Sequence, residues 1–116
     1  MKGVFFMLEK IYDFSKEDTK NIEKLIDDDH LLLNHMILPK NTGLPEHYSN
    51  SNVYMIVVRG ILSLQLEDQE LQHYENGHII NIPYNTKMNV NNFNDEVLEF
   101  FVVKSPNPKN YQVSKQ

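Results

Sequence analysis

The sequence contains no cysteine, and that one absence removes a disulfide framework, a thiolate zinc site and a cysteine nucleophile together. It also lacks a basic excess. Lysine and arginine total 11 against 16 acidic residues, a formal net charge of −5, whereas a nucleic-acid-binding domain carries a cationic stripe or patch. No apolar run approaches the roughly 18 residues of a membrane span. The short apolar run at 4–8 also falls short of the roughly 7 to 15 residues of a secretion signal's core. A cytoplasmic protein with neither nucleic-acid nor membrane partners is the expectation. Linkers, low-complexity tracts and fixed-period repeats are missing too, so the 116 residues read as one domain. A chain of this length buries about two-thirds of its unfolded surface, and 41% apolar with 23% charged residues is an ordinary globular composition.

What is present is mostly β pattern. Residues 31–38 (LLLNHMIL) form an apolar run closed by Pro39, after a turn signal at Asp27-Asp28-Asp29. Residues 53–58 (VYMIVV) are the strongest strand signal, β-branched and continuous. After Arg59-Gly60, residues 61–66 alternate at period two, with leucine at 62, 64 and 66, which means one face buried and one wet. Glu67-Asp68-Gln69 makes a turn, 71–74 a return strand, and Gly77 opens another strand at 79–82 that Pro83 ends. Residues 87–91 alternate again, and 97–103 (VLEFFVV) form the last strong strand. Two readings fit the first thirty residues. Ser15-x-x-Asp18 with Ile22, Leu25 and Ile26 suits a capped helix, whereas the same stretch also suits a strand paired with 31–38 through the Asp27–Asp29 turn. The weight of β pattern elsewhere favours the hairpin. The expected organisation is an N-terminal strand or turn region over 1–30, a barrel over 31–104 and a polar tail, surface-bound or frayed, over 105–116. Short strands with turn signals every 8 to 12 residues suit an antiparallel sandwich or barrel.

Two stretches resemble the paired motifs of the cupin superfamily. The first motif, G-x5-H-x-H-x(3,4)-E-x6-G, is matched at Gly60 and His47, while Ser49 stands at its second His and Val53 at its Glu. Gly43 lies closer to His47 than the motif's first Gly does. The second motif, G-x5-P-x-G-x2-H-x3-N, is matched at Gly77, Pro83 and Asn92, with Asn85 at the Gly position and Met88 at the His position. Asn suits a Gly position because it tolerates the left-handed backbone better than other residues. The resemblance implies an all-β cupin fold, an antiparallel β-barrel or jelly roll, and a homodimer.

The scaffold positions are kept while the chemical ones are mostly replaced. In metal-binding cupins, three His and one Glu face inward around a divalent ion. His47, Ser49, Val53 and Met88 occupy those positions here; Ser is a poor ligand for such ions, Val is none, and a thioether prefers soft Cu(I). No cofactor and no metal are expected. If the strands follow the family, Val53, Met55, Val57, Met88 and Val90 point inward, and a polar cavity becomes apolar. Either the interior fills as core, or it keeps an apolar pocket for a small ligand with polar groups at its mouth. The candidate pocket comprises His47, Ser49, Val53, Met55, Tyr84, Met88 and Asn92, with His47, Ser49, Tyr84 and Asn92 as its rim. Two other functions remain open. One is a metal-dependent oxygenase or isomerase with ligands drawn from His35, His47 and His78. The other is a purely structural dimer module, since the second face of 53–58, with Tyr54, Ile56 and Val58, is apolar as well.

Overall fold

The computed structural model describes residues 7–111. Residues 1–6 and 112–116 lie outside it, and with them most of the apolar run at 4–8 and the end of the polar tail. Ten strands and one short 3-10 turn make up its regular structure: β1 Asn21–Asp27, β2 Leu32–Leu38, β3 Thr42–Gly43, β4 His47–Tyr48, β5 Val53–Arg59, β6 Ile61–Leu66, β7 Gln72–Glu75, β8 Ile79–Ile82, β9 Lys87–Asn92 and β10 Leu98–Lys104, then Pro108–Asn110. All pairings are antiparallel. One sheet runs β1-β2-β10-β5-β8, the other β3-β9-β6-β7 with β4 also on β9. The two sheets face each other as a jelly roll joined by side chains, not as a barrel closed by hydrogen bonds.

The hairpin reading of the N-terminal region holds. Asn21 pairs with Ile37 and Asp27 with Leu32, so Ile22 and Ile26 lie on a strand and not on one face of a helix. Before β1 the chain runs irregularly across the outside of the first sheet. Phe14 packs there against the rings of His35 and Phe101, at 4.8 and 5.1 Å between centroids. Beneath it, fully buried His35 contacts Glu23 through Nδ1 (2.8 Å) and Glu99 through Nε2 (2.7 Å). An ionised carboxylate only accepts hydrogen bonds, so both contacts are satisfied when both ring nitrogens carry hydrogen. Glu23 also accepts from the Ser15 backbone N–H. That bond, with His35 second, holds its carboxyl below the ordinary range. Arg59 bridges Glu99 to Asp18 and completes the fastening of the arm to the sheet. At the other end, Asn107 donates to the Asp27 carboxylate and the Asp28 carbonyl, so the tail is pinned to the β1–β2 turn as far as Tyr111.

Period two decides the interior. Val53, Met55 and Val57 of β5, Leu98, Phe100 and Val102 of β10, and Met36 and Leu38 of β2 meet Leu62, Leu64, Met88 and Val90 of the facing sheet. The chain passes from one sheet to the other at Gly60, whose φ is +81°. A Cβ there would stand 2.4 Å from the Val97 carbonyl oxygen. Gly77 also has a positive φ, +92°, but a Cβ there would meet nothing within 4 Å. The two glycines therefore separate backbone strain from steric exclusion. Gly77→Ala should cost about 1–2 kcal/mol, the left-handed penalty alone. Gly60→Ala should cost about 3 kcal/mol or more, because overpacking adds to it. Urea unfolding of the two variants checks this order, and equal costs would contradict it.

Candidate functional site

The short strand β4 sets His47 directly opposite Met88 of β9, and β5 sets Val53 opposite Lys104 of β10. These elements surround one cavity between the sheets, lined by Met36, Leu44, His47, Ser49, Val53, Met55, Met88, Val102 and Lys104. Its void is about 320 Å³ including the open mouth, of which about 30 Å³ admits the centre of a water molecule. Val53, Met55 and Met88 are buried in its walls, while His47 is exposed at the mouth. The His47 Nδ1 lies 2.8 Å from the Pro45 carbonyl oxygen. Donation there leaves Nε2 with its lone pair in the neutral ring.

Five of the seven expected pocket residues thus share this cavity, and two do not. Asn92 is fully buried, donating to the Leu38 and Glu96 carbonyls (2.8 and 2.9 Å) and accepting from the Asn94 N–H. It fastens the β9–β10 connection to the end of β2, which is a structural task and not a rim position. Tyr84 lies instead in a shallow outer depression with Tyr48, Asn50 and Tyr111, stacked on Tyr111 at 4.5 Å. Ser49 borders both spaces, but its hydroxyl is engaged. It donates to the Pro83 carbonyl (2.6 Å) and accepts from the Thr86 N–H (2.8 Å), which ties β4 to the turn at Asn85. Asn85 itself has a φ of +62°, the left-handed conformation expected at that Gly position.

Sequence reasoning missed Met36, Leu44, Val102 and Lys104. Lys104 was within reach of the same period-two argument, since it shares parity with Leu98, Phe100 and Val102 and so takes the inward face at the strand's end. Burial lowers its pKa from the ordinary lysine value, helped by the charge of Lys24.

The chain's relatives agree with this architecture. A protein of Methanocaldococcus jannaschii (MJ0764), itself uncharacterised, is 47% identical over 104 residues, 89% of this chain and 90% of its own length. The crystal structure from that organism, an RmlC-like cupin family protein with a double-stranded β-helix fold, matches at TM-score 0.86 over 90% of this chain and 96% of that one. The chain belongs to the cupin family. More distant cupins share the fold alone. A cupin-like protein of Thermotoga maritima matches at TM-score 0.72 with 16% identity over 81% of each chain. A cupin domain of Bordetella pertussis matches at 0.66 with 16% identity over 79% of this chain and 98% of that one. No family model matches the chain.

Within the cupin frame, the residues at the usual metal position do not fit a divalent ion. His47 brings one imidazole, Ser49 an already engaged hydroxyl, Val53 nothing and Met88 a soft thioether. The alternative set of His35, His47 and His78 does not converge either. His35 is clamped on the outer face of the first sheet, and His78 lies after the Gly77 turn with its Nδ1 3.0 Å from the Glu75 carbonyl. Among the described residues, no group of three or more His, Asp or Glu could hold a metal. The Ser63–His73 contact (2.7 Å) on the second sheet resembles a nucleophile–base pair, but Ser63 is fully buried and unavailable to substrate. Among the same residues, no helix is long and apolar enough to cross a membrane.

Proposed function

We propose that this cupin binds a small molecule in the apolar cavity between its sheets and holds no resident divalent metal there. The observation that carries the reading is the wall itself. Val53 and Met88 replace a carboxylate and an imidazole, and they stand beside Met55 and Met36 around a space open at His47. An apolar cavity with a few polar groups at its mouth is the usual form of a small-ligand site. Three methionines in the wall add adaptability, since unbranched thioether side chains re-pack around different shapes at low cost. Elemental analysis of protein purified without chelators or a metal-binding tag should find well under one Fe, Mn, Ni or Zn per chain. Stoichiometric metal that disappears in His47→Ala would overturn the metal-free reading.

The same reading includes a homodimer. On the outside of the first sheet, the arm carrying Phe14 covers the β2–β10 side, while Tyr54 (37% exposed), Val58 (45%) and Ile79 (66%) lie bare on β5 and β8. Ile56 pairs with Ile79 across these strands, so the apolar residues form one continuous stripe. Burying it against a second copy removes apolar area from water, which is favourable. Sedimentation equilibrium should return about twice the 13.7 kDa chain mass, and Ile79→Lys should shift the population to monomer. A monomer at micromolar concentration in the unaltered protein would contradict the dimer.

A further inference from the structure

Among the described residues, Lys104 is the one lysine or arginine in the wall of the cavity, and none of them gives it an anionic partner. Ion pairs made by lysines among the described residues involve Lys24, Lys40, Lys87 and Lys109, and Lys104 is in none of them. Its strand position explains the placement. Lys104 is opposite Val53 of β5 and Leu32 of β2, at the end of the inward-facing series that contains Phe100 and Val102. Burial takes part of the solvent from the Lys104 side chain, which disfavours its charge, and among the described residues no carboxylate pairs with it to return that loss. Such a group normally finds a carboxylate. Glu46 is paired instead with Lys87, and Asp27 with Lys24 and Lys109.

We propose that Lys104 receives the anionic head of the ligand, and that the ligand is a short aliphatic carboxylate whose tail lies among Met36, Met55 and Met88. The inference rests on the reading of the cavity as a ligand pocket and adds the charge of its occupant. Size sets the tail. About 30 Å³ of water-accessible space corresponds to two or three water-sized positions at roughly 10–15 Å³ each, enough for a few heavy atoms before the thioethers re-pack. An inorganic anion would satisfy Lys104 but leave the apolar wall unused. A neutral alkyl compound would fill the wall but leave the ammonium unpaired. The carboxylate does both, and a charge-assisted hydrogen bond from a partly desolvated ammonium is stronger than a neutral one. His47 stands at the same mouth, where its exposed ring adds a second polar contact without blocking entry.

The test uses the intact protein with selectively labelled methionine methyls and three probes: butyrate, butyramide and inorganic phosphate. Butyrate should shift the Met36, Met55 and Met88 methyl resonances and bind at least about tenfold more tightly than butyramide. In Lys104→Met, which keeps the strand's apolar character, butyrate should lose that advantage while butyramide binding is retained. Butyramide binding as tightly as butyrate, or butyrate binding unchanged in Lys104→Met, would overturn the role of Lys104 and leave the pocket standing. Methyl shifts of equal size with phosphate would overturn the aliphatic part of the assignment. If neither organic probe moves the methyls, the pocket reading fails and this inference with it.

Discussion

The chain must leave one sheet and enter the other within a single residue, and Gly60 is where it does so. Its φ of +81° and its approach to the Val97 carbonyl leave no room for a side chain. The consequences spread along the fold. Beside this crossing, the pairing of β10 with β5 shifts between Glu99 and Phe100, which opposes Glu99 to Arg59 and Phe100 to Val57. The extra residue is Val58 of β5: β10 keeps its own alternation, with Phe100 inside and Glu99 outside, and the skip turns Arg59 to the outer face, where it meets Glu99, which also contacts His35. The irregularity beside the crossing thus delivers Arg59 to the polar clamp on the outer face, while the core follows the alternation of β10 and β5.

Within this frame, the cavity is built by position and altered by substitution. The pairing of His47 with Met88, and of Val53 with Lys104, brings together residues far apart in the chain. Replacing donors by Val and Met removes a costly set of buried polar groups from a small interior. Isolated charges are expensive to bury and are retained when something repays them. Lys104 is the exception among the wall residues, and in the proposed reading it sets the charge of the ligand. One fold can host different functions, since function resides in the site and not in the architecture.

Much of this was legible in the sequence because glycine, proline and period two carry direct geometric meaning. Gly60, Gly77 and Pro83 stand where the backbone needs them, and the alternation in 53–58 and 87–91 names the inward residues correctly. The cupin fold followed from those positions. Asn92 matched its motif position, but spacing says nothing about which groups a side chain bonds, and its carbonyl partners come from Leu38 and Glu96. Tyr84 was misplaced for a related reason: its turn directs it outward onto Tyr111, near the end of the described chain. The clamp of Glu23, His35 and Glu99 was invisible, because its members lie on three strands joined by cross-strand register. The short strands β3 and β4 have too few residues to show any period. The polar tail gave no sign that Asn107 would anchor it to Asp27 and Asp28.

His47, Ser49, Val53 and Met88 line one cavity, and in the proposed reading only their side-chain chemistry keeps a metal from it. Restoring the chemistry tests this directly. The variant Ser49→His, Val53→Glu, Met88→His supplies three imidazoles and a carboxylate with His47, a set suited to Zn or Ni. Its metal-free form should be less stable than the parent by several kcal/mol, since buried apolar groups become desolvated polar ones and Ser49 loses its two hydrogen bonds. Calorimetric titration with Ni²⁺ should then show one ion bound per chain, with stability recovered by mass action, and none bound by the unaltered protein. A folded variant that binds no ion, or an unaltered protein that binds one as tightly, would contradict the account.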